Sequence, residues 1–93
     1  MNRFTPDQAA RACALLAKDE PDRERRANWR IYASRYGQIV QDREKGFSNY
    51  VIAYSMRSVW VDMRDDFGGE YPETEMVKKL ATTENVPVAG QED

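Results

Sequence analysis

The chain contains no histidine and a single cysteine, Cys13. Without histidine, Ser-His-Asp and Cys-His nucleophilic sites are excluded, and the commonest protein ligand of transition metals is missing. Cys13 lies among alanines near Leu16, at positions that share one face of a helix. Cysteine in such surroundings packs as a small hydrophobic residue, so we expect a buried, inert thiol.

Carboxylates are the remaining groups that could carry acid–base chemistry or bind a divalent cation. Asp62, Asp65, Asp66 and Glu70 lie close together in the sequence, and Asp62 and Asp66 share a helical face at a spacing of four. Paired carboxylates of this kind can act as acid and base or hold a cation. A solvated helix end before a Gly-Gly pair produces the same pattern, and no phosphate-binding motif accompanies it. The sequence therefore predicts a protein that is not an enzyme, with no metal site and no cofactor.

Five arginines are concentrated in the stretch DRERRANWRIYASRYGQIV. On a helix, Arg23, Arg26 and Arg30 form one strip beside an aromatic stripe, and Arg35 lies further round. An arginine guanidinium can form two hydrogen bonds to one phosphate, so DNA or RNA is an alternative partner. A solvated strip paired with neighbouring acids is the simpler interpretation, and a protein-binding face is the third. Ile31 lies off the apolar stripe near Arg35, where it could pack against a partner or a second copy of the chain.

Tyrosine is the other residue type that points to recognition. The chain has five tyrosines, and Tyr50 and Tyr54 share a helical face away from the apolar stripe that contains Ile52. Tyrosine, tryptophan and arginine dominate the energetics of protein interfaces. Tyr50 and Tyr54 are therefore the predicted exposed anchors for a partner.

The composition limits the molecule to one small domain of 93 residues, of which 41% are hydrophobic. Residues 1–63 carry a formal charge of +3 and residues 64–93 one of −5, for a total of −2. This total argues against nonspecific nucleic-acid binding by the whole surface. A single cysteine excludes an internal disulfide, and neither a membrane span nor a secretory signal is visible. We expect a cytoplasmic protein.

Local signals divide the chain into helices. Thr5, Pro6 and Gln8 form a capping box with proline at the first helical position. Apolar residues at helical spacing then predict helix 1 over about 6–18 and helix 2 over about 21–45, followed by a turn at Gly46. Helix 3 runs from a Ser48 cap towards the Gly-Gly pair at 68–69, although a short alternating run within residues 50–63 leaves a strand as the competing interpretation. Helix 4 is predicted over about 72–81.

These elements predict an all-α fold, a small bundle of three main helices and a short fourth over residues 1–81, with a mobile tail over 82–93. The profile favours a small cytosolic adaptor or inhibitor that binds a larger protein and occludes it. A phage-borne or mobile-element-borne inhibitor of a host defence or nucleic-acid-handling complex fits the same profile. The alternative is a small DNA- or RNA-binding regulator that uses the arginine strip of helix 2.

Overall fold

The computed structural model describes residues 4–81, and within them every regular element is a helix. The four helices are α1 (Pro6–Asp19), α2 (Arg23–Glu44), α3 (Asn49–Asp66) and α4 (Pro72–Lys79). The all-α prediction is confirmed, and the strand alternative for residues 50–63 is wrong because α3 covers that stretch. The tail predicted over 82–93 lies outside the described residues.

The helix starts follow the caps that the sequence encodes. The Gln8 backbone N–H donates to Thr5 Oγ1 (3.1 Å), and the Thr5 N–H donates back to Gln8 Oε1 (3.2 Å). Helix α2 starts two residues later than predicted, because the cap is the Asp22 carboxylate, which accepts from the Arg25 N–H (2.8 Å). Ser48 caps α3 by accepting from the Val51 N–H (3.3 Å). Each side-chain oxygen satisfies a backbone donor that the helix itself cannot pair.

A tight turn at Gly46 reverses the chain between α2 and α3. Gly46 has a φ of 93°, a conformation that favours glycine. The Phe47 N–H donates to the Asp42 carbonyl (3.1 Å), and the Gly46 N–H donates to the Arg43 carbonyl (3.0 Å). These two bonds are the Schellman pattern that closes a helix C-terminus. The two helices are therefore antiparallel neighbours, as the short connection predicts.

The core is formed by apolar residues of all four helices and two flanking aromatics. Helix α1 packs along α2, α3 also packs against α2, and α4 packs mainly against α1. The contacts of α3 with α1 and α4 are few. The buried apolar residues are Phe4, Ala9, Ala12, Cys13, Ala17, Trp29, Tyr32, Tyr36, Ile39, Met56, Val59, Met63, Phe67, Met76 and Leu80.

Glu20 connects the end of α1 to α2 through its carboxylate. Its Oε1 accepts from Trp29 Nε1 (3.2 Å) and Arg25 Nε (3.3 Å), and its Oε2 accepts from the Asp22 N–H (3.3 Å). Burial by itself raises the pKa of Glu20, but the hydrogen bonds from Asp22, Trp29 and Arg25 together bring that pKa below its usual value. The folded state therefore favours the ionised carboxylate.

Acidification is expected to weaken this junction. Because the pKa of Glu20 is lower in the folded chain than in the unfolded one, its contribution is complete above the ordinary value of 4.5 and is lost as the pH falls through the folded pKa. Urea unfolding at pH 6 and at successive values below 4.5 measures the free energy of unfolding. Glu20→Gln should remove part of the decrease in the free energy of unfolding that acid causes. Glu44→Gln, which changes an exposed glutamate of α2, should leave that decrease intact. Equal pH profiles for Glu20→Gln and wild type would contradict the assignment.

Candidate functional site

The carboxylates near the end of α3 are engaged individually and form no shared site. Asp62 Oδ2 accepts from Arg35 Nη1 at 2.9 Å, and Asp66 accepts from the Tyr32 hydroxyl. Glu70 lies 3.6 Å from Arg25 Nη1. In the described part of the chain, no group of three His, Cys, Asp or Glu side chains comes together around a point where a cation could bind. These acids instead fasten α3 and the turn after it to α2.

Two titratable groups in the core are held in their protonated forms. Burial raises the pKa of the Cys13 thiol to about 12, so the nucleophilic thiolate is disfavoured at neutral pH. Burial and the neighbouring Asp66 carboxylate raise the pKa of Tyr32 above its usual value, which keeps the hydroxyl available as a donor. Both groups are structural in this arrangement.

The arginine strip of α2 has one member that is already engaged. Arg26 Nε donates to the Glu20 carbonyl (3.1 Å), and Arg26 Nη2 donates to the Pro21 carbonyl (3.3 Å). Arg26 is half-buried and pairs with carbonyl oxygens that follow α1. Arg23 and Arg30 are exposed and form no ion pair with another described residue. Of the three arginines of the strip, Arg23 and Arg30 are therefore the two that are exposed and have no ion-pair partner among the described residues.

Arg35 and Ile31 lie on the edge of α2 that faces α3. Arg35 bridges to Asp62, and its guanidinium lies 5.6 Å from the centroid of the Tyr32 ring. Ile31 is 52% exposed, which confirms its predicted position away from the core. Arg35 also lines a shallow groove of about 260 Å³ between the two helices, together with Tyr54 of α3. The fold thus brings Arg35 and Tyr54 to one groove.

The two tyrosines predicted as anchors are the most exposed large hydrophobic side chains of α3. Tyr50 is 80% exposed and Tyr54 is 68% exposed. Phe47 and Val51, next to them, also present apolar surface to solvent. The predicted exposure of Tyr50 and Tyr54 is confirmed, and whether they bind a partner stays a prediction.

Helix α3 carries two separate stripes of side chains. The inner stripe is Ile52, Met56, Val59 and Met63, which pack into the core. A second set recurs at intervals of three and four residues, the spacing at which helices pack on one another, and of its members Trp60 also packs against the core. This outer stripe consists of Tyr50, Ala53, Tyr54, Arg57, Trp60, Val61 and Arg64.

Trp60 lies at the border between the two stripes. The helical pattern places it on the core stripe with Val59 and Met63, and in the structure it is half-buried and packs against the core, as that pattern predicts. Its indole N–H is buried and has no acceptor among residues 4–81. An unpaired buried donor of this kind costs about 1–3 kcal/mol relative to a paired one.

A groove of about 710 Å³ lies beside Trp60 on α3. Arg64 places its guanidinium 5.2 Å from the centroid of the Trp60 ring, and the Tyr71 ring lies 6.3 Å from it on a tilted plane. The lining residues include two arginines and no acid. They are Phe4, Ala53, Met56, Arg57, Trp60, Val61, Arg64 and Tyr71.

The two groove arginines are available for an external partner. Arg57 is exposed and Arg64 half-exposed, and neither forms an ion pair with a described carboxylate. This pair was not predicted from the sequence, because its members are seven positions apart and their common groove is formed with Phe4 and Tyr71 from outside α3. The signal was present in the sequence as Arg57 and Arg64 at a spacing of seven, on the same side as Tyr50.

Comparison with protein-family models, with curated proteins and with solved structures finds no match for this chain.

None of the helices in residues 4–81 has an apolar stretch of the length and hydropathy that crossing a bilayer requires.

Proposed function

We propose that this protein is a small adaptor or inhibitor that binds a larger protein and covers part of its surface. The outer stripe of α3 carries the proposal, because its exposed tyrosines and its two arginines are not used by the core, and it also includes Trp60, which packs against the core on one side. Trp, Tyr and Arg are the residues most enriched among interface hot spots. The stripe includes all three types, with Tyr50 and Tyr54 at its start and Trp60 further along.

The DNA- or RNA-binding alternative has weaker support. Its predicted strip depends on Arg23, Arg26 and Arg30 acting together, and Arg26 is engaged with backbone carbonyls. The formal charge of −2 and the eight acids within residues 64–93 disfavour a polyanion further. A cytoplasmic location, an origin in a phage or mobile element, and a host defence or nucleic-acid-handling complex as the target all stay predictions.

Site-specific photocrosslinking tests the proposal at the outer stripe. A photoreactive phenylalanine analogue placed at Tyr50 or Tyr54 should capture a larger protein from an extract of the source cells, identified by mass spectrometry. The same analogue at Ala14, an exposed position of α1, is the matched control and should give no such adduct. A nucleic-acid adduct, an adduct with a second copy of the chain, or equal capture at Ala14 would contradict the proposal.

Affinity measurements on the captured partner then test the anchors. Tyr50→Ala and Tyr54→Ala should each weaken binding of the purified partner by about 30-fold, the effect of a hot spot worth about 2 kcal/mol. Both tyrosines are mostly exposed, so the free energy of unfolding should change by no more than about 0.5 kcal/mol. Unchanged affinity in both variants would remove them from the interface.

A further inference from the structure

We infer that the partner contributes an acidic amphipathic helix, which lies along the outer stripe of α3 with an apolar side chain in the groove beside Trp60. The inference rests on the proposed function and specifies the chemistry of the partner. The outer stripe extends over fourteen residue steps from Tyr50 to Arg64, or about 21 Å along the helix axis. Its spacing of three and four residues matches that of a helix packing against another helix.

The lining of the groove offers apolar surface to a side chain from such a helix. It includes the buried Phe4 and Met56 and the aromatic residues Trp60 and Tyr71. The Tyr71 ring is 62% exposed, so one wall of the groove stands in solvent in the free chain. Filling the groove would remove this aromatic surface from water, the main source of binding energy at a helix-in-groove interface.

Charge complementarity determines the polar chemistry of the partner. Arg57 and Arg64 are two helical turns apart, which corresponds to about 10.5 Å along α3. No acid lines the groove between them, and neither arginine forms an ion pair in the described structure. Two carboxylates seven residues apart on a partner helix would face both guanidinium groups. Arg64 is already oriented by its position over the Trp60 ring, so little side-chain freedom is lost on pairing.

A second copy of this chain does not have this complementarity. Pairing two outer stripes would bring four arginines, two from each copy, into one interface with no acid on either stripe. Like charges in such an interface oppose association.

A nucleic acid is also a poorer occupant than an acidic helix. Among the described residues two cations line the groove, and the exposed acids Asp65 and Glu70 follow close to Arg64 in the chain. A phosphate backbone would meet these acids as it extended past the stripe. The exposed Tyr71 ring could stack on a base, so the experiment includes single-stranded DNA as a competitor.

The inference can be tested by selecting peptides that bind the full chain from a displayed random library biased towards helices. This selection presupposes no peptide sequence. Peptides enriched on the wild-type protein should combine a large apolar residue with acids spaced by seven. Selection on R57E/R64E should enrich basic residues at those positions instead. Binding of the most enriched synthetic peptide should weaken by at least 100-fold in R57E/R64E and by at least 10-fold in Trp60→Ala.

R23E/R30E is the matched control, because it reverses two exposed, unpaired arginines at the same spacing of seven on α2. Its affinity for the selected peptide should stay within threefold of wild type. Far-ultraviolet circular dichroism of every variant shows whether the helices are retained. If Trp60→Ala does not fold, peptide binding by Tyr50→Ala tests the same surface.

Four outcomes would overturn the inference: no enrichment, enrichment of peptides without acids, displacement of the peptide by a twelve-nucleotide dT strand, or a dimer of the chain that Trp60→Ala dissociates. If selected peptides depend on Tyr50 and Tyr54 but not on Arg57 and Arg64, the acidic-helix inference fails while protein binding through α3 stands. If crosslinking at Tyr50 and Tyr54 also captures no protein, the proposed function fails as well.

Discussion

Trp29→Ala is expected to lower the free energy of unfolding by about 3–5 kcal/mol. Trp29 is 1% exposed, and its ring centroid lies 4.3 Å from that of Phe67. Its indole N–H donates to Glu20, so one side chain joins the end of α1, the body of α2 and the end of α3. Truncation leaves a cavity at this junction and removes a hydrogen bond from the Glu20 carboxylate. Since small domains are stable by only about 5–15 kcal/mol, a large part of the population should unfold at moderate urea concentrations.

Urea denaturation followed by circular dichroism measures this change. Tyr50→Ala provides the control, because it also removes a large aromatic ring, but one that is mostly in solvent. Trp29→Phe separates the loss of apolar volume from the loss of the hydrogen bond, since phenylalanine keeps most of the apolar volume and lacks the N–H donor. A loss below about 1.5 kcal/mol for Trp29→Ala would show that the junction does not depend on this side chain.

Leu80→Ala should have the second-largest effect, a loss of about 2–4 kcal/mol. Leu80 is fully buried and follows directly after α4, which packs mainly on α1. A helix of eight residues is not stable alone in water, so its order depends on this docking. The Lys79 ammonium bonds to Asp19 at the same contact and lowers the pKa of that carboxylate. An exposed ion pair of this type contributes little compared with the buried leucine.

Hydrogen exchange distinguishes a global effect of Leu80→Ala from a local one. We expect the amides of α4 to lose most of their protection while those of α2 keep theirs, because helices docked at one face open as a unit. Val77→Ala, which shortens a half-buried neighbour, should have a clearly smaller effect. Unchanged protection of α4 in Leu80→Ala would show that the helix is held by other contacts.

Local chemistry explains why the helices could be located from the sequence. The capping box at Thr5 and the cap at Ser48 depend on residues three positions apart, and the turn at Gly46 needs only one residue with positive φ. The apolar stripe of α2 likewise needs only the helical repeat to bring Trp29 and Tyr36 to one face. The error at the start of α2 has a local cause too, since Pro21 and Asp22 are both suited to a helix start.

Contacts between distant segments explain what sequence reasoning could not supply. Arg26 is engaged because the chain between α1 and α2 brings two carbonyls to its guanidinium, and no residue spacing encodes that path. Arg35 pairs with Asp62, 27 positions away, which requires the relative position of two helices. Trp60 follows the core pattern of α3 in sequence, but that pattern does not show that Tyr71, which lies beyond α3, comes next to its ring.

The division of α3 into two stripes separates the residues that maintain the fold from those available for recognition. The side chains that hold α3 to the core, such as Met56 and Met63, are mostly distinct from those of the outer stripe, such as Tyr50 and Arg57, and Trp60 belongs to both sets. Substitutions in the exposed part of the outer stripe therefore cost little stability. The exposed surface of α3 can thus change its chemistry one residue at a time while the bundle that presents it stays the same.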